Sequence, residues 1–220
     1  MPLLSVIVPV LDDRAAAERL LAQIGSDPEV ELLVVDGGHD EGLERAVTGG
    51  ARLLRAPAGR ARQMNAGAAL ARGDWLLFLH ADSILPDGWL HSFRECTANA
   101  DAGWFRFALD DPAWQARVIE WGVRWRVHRL RLPYGDQGLF IRRDLFRALG
   151  GYRDLPLMED VDFIRRVAPR ARLIELPVTL TTSARRWRRD GWFRRSARNV
   201  ALLTLYFLGI PPARLARWYG

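Results

Sequence analysis

One pattern recurs through the first 90 residues. A short apolar run stops at an aspartate, and a stretch of helical character follows. Residues 3–10 (LLSVIVPV) run into Asp12 and Asp13, residues 30–35 (VELLVV) into Asp36 and two glycines, and residues 75–79 (WLLFL) into His80-Ala81-Asp82. Unbroken apolar runs of this length suit strands covered on both faces, as parallel strands are. Between them, residues 14–24 place Ala16, Leu20, Leu21 and Ile24 at helical spacing behind a capping carboxylate, and residues 60–72 form a helical stretch bounded by Gly59 and Gly73. Residues 51–57 (ARLLRAP) read as a further, shorter strand. Strand–helix alternation of this kind predicts an α/β fold with a mostly parallel central sheet flanked by helices. In such sheets ligands bind beyond the carboxyl ends of the strands, so Asp12, Asp36 and Asp82 are expected along one edge.

The second half is less regular. Residues 102–109 alternate as a half-buried strand does, and residues 112–131 are helical, with Trp114, Val118, Trp121 and Trp125 on one stripe. Residues 134–152 read as a glycine-flanked loop, a short strand and a helix closed by Gly150-Gly151. A helix opens at Glu159-Asp160, and residues 171–182 form one strand or two short ones. Acids at a helix start, or an Asp before two glycines, also have a local reading as cap and turn residues.

Charge divides the chain unevenly. Residues 185–220 hold nine arginines against one acid, a net of +8, so the rest carries −2 of the total +6. Six of the nine tryptophans lie in two arginine-rich segments. Trp and Arg beside the apolar run 200–210 predict a helical tail that either lies on an anionic membrane surface or packs on the domain. That run is too short to span a bilayer, and residues 1–13 lack the basic start of a secretory signal. Cys96 is the only cysteine, which excludes an intramolecular disulfide and a multi-cysteine zinc site. A cytoplasmic location is expected, with peripheral attachment to the inner face of the membrane as an option. No nucleic-acid partner is expected. The chain lacks a helix-turn-helix, RRM or zinc pattern, and the −2 portion would repel phosphates. A nucleotidyltransferase would share the parallel sheet and a strand-end acid, but VPVLDDRAA lacks its glycine-rich basic loop.

The segments SVIVPVLDD, VVDGG, GRARQMNAGAALARGDWLLFLHAD, GDQGLFIRR and MEDVDF resemble, in order, the landmarks of family 2 glycosyltransferases with the GT-A fold. Within that family they are most similar to a small bacterial subgroup of arsenosugar-biosynthesis type. The resemblance implies a GT-A catalytic domain over residues 1–187, followed by the basic tail 188–220. It also implies a nucleotide-diphosphate sugar donor, an acceptor that the sequence does not name, a divalent cation (Mn2+ or Mg2+) and inversion at the anomeric carbon.

By that resemblance Asp36 is the nucleoside-binding acid, and Pro9 and Asp12 belong with it to the nucleotide-sugar site. HAD stands in place of the family's D-x-D, making Asp82 a metal and diphosphate residue, with His80 a further candidate ligand in place of an acid. If residues 80–82 are extended, the two side chains face one ion. MEDVDF implies Asp160 as general base with Glu159 beside it. Asp136 and Gln137 face the sugars. Arg60 is a candidate phosphate contact. Arg186 and Trp187, in SARRW, resemble the family's Q-x-x-R-W, with Ser183 in place of Gln.

Overall fold

The computed structural model describes residues 2–38, 40–47 and 50–219. Its elements run β1 (Leu4–Val10), α1 (Arg14–Ile24), β2 (Val30–Asp36), α2 (Glu41–Ala46), β3 (Arg52–Arg55), α3 (Arg60–Leu70), β4 (Trp75–Phe78), β5 (Ser83–Ile84), α4 (Trp89–Thr97) and β6 (Ala102–Leu109). Then come α5 (Trp114–Leu130), a 3-10 turn (Gly135–Gln137), β7 (Leu139–Arg142), α6 (Arg143–Ala148), α7 (Glu159–Val167), β8 (Leu173–Thr182), α8 (Arg185–Asp190), α9 (Trp192–Phe207) and α10 (Pro212–Tyr219).

The strands form one sheet in the order β3-β2-β1-β4-β7-β6-β8-β5. The half built from the recurring pattern is parallel: β1 pairs with β2 and β4, and β2 with β3. The sheet as a whole is mixed, because β7 runs antiparallel to both β4 and β6, and β5 antiparallel to β8. β8 is one strand interrupted by an irregularity: Phe105 pairs with Leu176, but Arg106 pairs with Thr179. Pro177 lies in the skipped segment, where its missing N–H costs no ladder bond.

Strand alternation builds a core on each face of the sheet. Leu4, Val6, Val8 and Val10 meet Ala17, Leu20 and Ile24 of α1 and Phe93 of α4. Ile7, Leu33 and Val35 point the other way, toward Ala61, Met64 and Ala68 of α3 and Val161, Phe163 and Ile164 of α7. Phe93, Phe105 and Phe140 are fully buried, with Phe140 edge-on to Phe93 at 5.3 Å and to Phe105 at 6.2 Å. Each such side chain contributes about 1.5–3 kcal/mol of burial. Gly67 lets α3 approach β1: a Cβ there would stand 2.5 Å from Ile7 Cγ2.

The tail packs on the domain. Leu203 joins the core that holds Val161 and Ile164 of α7, while Leu202 and Leu215 close over Leu157. Most of its arginines are paired: Arg185 with Asp13, Arg188 with Asp110 and Asp111, and Arg189, Arg195 and Arg198 with Asp190. No described helix is long and apolar enough to cross a membrane.

Candidate active site

The carboxyl ends of β1, β2 and β4 gather the expected acids. Asp36 closes β2 opposite Val10 and is 1% exposed. Its Oδ1 accepts from Gly38 N at 2.8 Å and its Oδ2 from Asp40 N at 3.0 Å. The carboxylate thus shapes the loop after β2. Asp12 stands against that loop with φ 52°, and a Cβ on Gly38 would lie 2.8 Å from its Oδ1. Pro9 sits in β1 opposite Val35. Gln63, buried on α3, donates from Nε2 to Val10 O at 2.8 Å and Val35 O at 2.7 Å, tying the two strand ends together.

His80 and Asp82 do not lie on an extended segment. β4 ends at Phe78, and Ser83 N donates to His80 O at 3.0 Å, so residues 80–83 form a turn. Side chains two apart therefore do not share a face by strand alternation. The turn wins because β5, starting at Ser83, must pair with Thr182 at the far edge of the sheet. Burial, together with Arg60 and Arg186, holds the His80 imidazole down at about 3, so it is neutral at pH 7. Burial raises the Asp82 carboxyl, as does Asp13, against Arg186 and Arg185, which lower it.

The second wall comes from the 3-10 turn and α7. Met158 adopts a left-handed conformation (φ 66°), uncommon for a side chain of its size, and this turn delivers Glu159 and Asp160 at the start of α7. Asp160 Oδ2 accepts from Gly135 N at 2.9 Å, and Oδ1 from its neighbour Val161 N at 2.8 Å. A Cβ on Gly135 would fall 2.9 Å from His80 Nε2 and 3.7 Å from Asp160 Oδ2, so glycine is what lets both groups lie close against this turn. Glu159 is 2% exposed; its Oε1 meets Arg60 Nε at 2.7 Å, while its buried Oε2 has no partner. Burial raises the Glu159 carboxyl, with Arg60 opposing and Asp160 adding to the rise. Burial pushes Asp136 up to about 6, with Asp160 and Asp82 adding and Arg126 and Arg60 opposing; its buried Oδ1 also lacks a partner.

Three residues expected at the site have structural surroundings. Gln137 is buried, with Oε1 accepting from Arg126 Nη2 and Tyr134 N, both at 3.3 Å. Trp187 packs among Leu109, Ala116 and Ala184, with its Nε1 toward Ser196 Oγ at 3.3 Å. Arg60 is held by Glu159. Arg186 is exposed, makes no ion pair among the described residues and lies within electrostatic reach of His80 and Asp82.

The sequence profile described as "Glycosyl transferase family 2" matches residues 5–142, from β1 through the Asp136 turn to the end of β7. The chain belongs to glycosyl transferase family 2. One relative, the PGL/p-HBAD biosynthesis glycosyltransferase of Mycobacterium bovis (strain BCG), is 31% identical over 163 residues, which is 69% of this chain and 63% of the relative. Among solved structures, the chain resembles the mannosyltransferase PcManGT from Pyrobaculum calidifontis in complex with GDP-Man and Mn2+. The TM-score is 0.67 at 18% identity, over 96% of this chain and 66% of that one. It also resembles S. aureus TarS 1-349 in complex with UDP, with TM-score 0.63 at 17% identity over 83% and 60%. These likenesses give the fold as GT-A. The chain spans a little under two thirds of the length of these relatives.

Sequence reasoning missed several residues that shape this family 2 site. Gln63 and Asn65 are polar positions on the inward side of α3. Asn65 exchanges two hydrogen bonds with the Tyr152 backbone at 2.8 and 2.9 Å. Arg166 fixes α7 by pairing with buried Asp162 at 2.9 Å and donating to Leu149 O and Gly151 O. A polar residue at a core-facing helical position was the available signal for Gln63. Arg166 gave none.

Proposed function

We propose that this family 2 chain transfers a sugar from a nucleotide diphosphate to an acceptor hydroxyl, with inversion at the anomeric carbon. The observation that carries this reading is the convergence of Asp160 and His80 on Gly135, at the carboxyl edge where Asp36 and Asp82 also stand. Asp160 takes the acceptor's proton as the hydroxyl oxygen attacks the anomeric carbon and the sugar–phosphate bond breaks. Two backbone N–H groups orient its carboxylate for this. Asp36 keeps lone pairs for a base N–H or ribose hydroxyl beyond those its loop uses. Arg186 offers a guanidinium to the departing diphosphate.

The residues present fit a divalent cation shared with the donor. Asp82 and Asp136 repel one another, and Asp136 Oδ1 is a buried oxygen with no partner. Among the described residues no group of three or more such side chains could hold a metal ion, so a cation here would take most of its ligands from phosphate and water. Asp82 and Asp136 would be its protein ligands. When bound, it neutralises diphosphate charge. The Mn2+ and GDP-Man of the Pyrobaculum neighbour support both the cation and the donor class.

The test pairs binding with turnover. Thermal shifts are read for UDP, GDP and dTDP with and without Mn2+, where ligand at a hundred times its Kd stabilises by about 2.7 kcal/mol. Asp160→Asn is expected to keep donor binding while nucleoside diphosphate release falls by about 10²-fold or more. Turnover that survives with an unchanged pH profile removes Asp160 as the base. Asp36→Ala is expected to weaken nucleosides and nucleotide diphosphates alike.

A further inference from the structure

Helix α5 turns its large apolar side chains outward. Trp114, Val118, Trp121 and Trp125 are 63%, 45%, 66% and 52% exposed, whereas its buried positions are Ala116 and Val127. The four lie at helical spacing on one stripe. A second outward stripe runs along α9, through Phe193, Val200 and Phe207, with Leu208 exposed just past its end. The two helices pack together, and the Trp114 and Phe193 rings lie 5.7 Å apart, so the stripes join. Apolar exposure that is contiguous rather than scattered marks an interaction surface.

The charge on this surface has one sign. Arg117, Arg124, His128 and Arg129 are exposed between or beside the tryptophans, and Arg194 beside Phe193. Glu120 is the sole acid of α5; its side chain is 11% exposed and engaged by Arg117 and by Leu109 N. α9 and α10 contain no acid. Elsewhere in the tail the arginines are mostly paired, but among the described residues Arg124, Arg129 and Arg194 form no ion pair.

We infer that the α5/α9 face docks on an anionic lipid bilayer. The tryptophans enter the headgroup–acyl boundary while the unpaired arginines meet lipid phosphates. A second copy of the chain is disfavoured as occupant, because a two-fold contact would set this arginine-rich face against itself. Duplex nucleic acid would satisfy the arginines and leave the tryptophan stripe in water. The surface differs from the one the sequence suggested. Within residues 190–220, Arg195 is buried against Asp190 at 2.6 Å and Tyr219 Oη at 3.1 Å and faces no headgroup, while α5 supplies three of the tryptophans.

Flotation of the full chain with vesicles tests this without reference to sugar transfer. Vesicles of phosphatidylcholine alone are compared with vesicles containing about a third phosphatidylglycerol. The chain is expected to float with the anionic vesicles, about 100-fold less with the neutral ones, and less with the anionic ones as salt rises. Trp121→Ser with Trp125→Ser is expected to lower partitioning about 10-fold or more. Arg124→Gln with Arg129→Gln, both exposed and leaving the fold intact by circular dichroism, is expected to lower it about 25-fold, roughly 5-fold for each charge. The inference is overturned if the chain ignores anionic vesicles, partitions equally onto neutral ones, or binds unchanged in both double variants. Tighter binding to duplex DNA than to vesicles, or a dimer abolished by Trp121→Ser, also overturns it.

Discussion

Asp136 concentrates the conflict at the site in one carboxyl group: a buried oxygen without a partner, beside two other acids. Its folded value of about 6 exceeds the ordinary 3.8, so between those two the folded chain retains a proton that the unfolded chain has released. Stability from this group is therefore present below about pH 4 and lost as pH rises through 6. Asp136→Asn is expected to stabilise the ligand-free protein by about 1–2 kcal/mol at pH 7.5, and by little at pH 4. The side chain's partial exposure keeps the gain below the full shift. Denaturant melts at the two pH values read this, and an equal gain at both would show that the carboxylate's charge is not the cause. Gly135→Ala makes a complementary expectation. The added Cβ would stand 2.9 Å from His80 Nε2, so the imidazole must shift away from the turn. Turnover is expected to fall while the thermal midpoint stays near that of the parent, as kinetics and calorimetry would show.

At the scale of elements, α3 sets the strand ends. Gln63 binds the β1 and β2 carbonyls, Asn65 binds the Tyr152 backbone ahead of α7, and Gly67 allows the contact with Ile7. Gly67→Ala puts a methyl carbon 2.5 Å from Ile7 Cγ2 in a close-packed core. A destabilisation of about 1–3 kcal/mol is expected, measured by urea unfolding. An unchanged midpoint would mean that the helix shifts freely on the sheet. The helical pattern of α3 was legible in residues 60–72. Its function as the brace between the donor side and α7 was not, because neither partner carbonyl nor Tyr152 is near it in sequence.

For the whole molecule, the tail decides how much of the chain is needed. Leu202 and Leu215 cover Leu157 just ahead of Met158 and Glu159, and Leu203 reaches the core shared with Val161 and Phe163. Truncation after Asp190 would expose that apolar surface and release the turn that presents Asp160. The truncated chain is expected to be aggregated or to have lost cooperative unfolding, and with it nucleotide binding. A soluble truncation that melts cooperatively and binds nucleotide diphosphate would separate the tail from the domain.

Local pattern alone determined a good deal. Unbroken apolar runs ending in acids specify buried parallel strands, and such strands place Asp36 at the carboxyl edge and lead the chain out toward Asp82. Residues 159–160 at a helix start, and the grouping of six tryptophans in arginine-rich segments, were equally legible. The tertiary structure decided what depends on partners distant along the chain. β7 enters antiparallel and makes the sheet mixed, the need for β5 to reach β8 breaks residues 80–83 into a turn, Trp187 is buried between the exposed Arg186 and Arg188, and Arg195 is buried beside the exposed Arg194. Helix period and strand period tell which side chains share a face. Which face meets another element is set by packing, and that requires the whole chain.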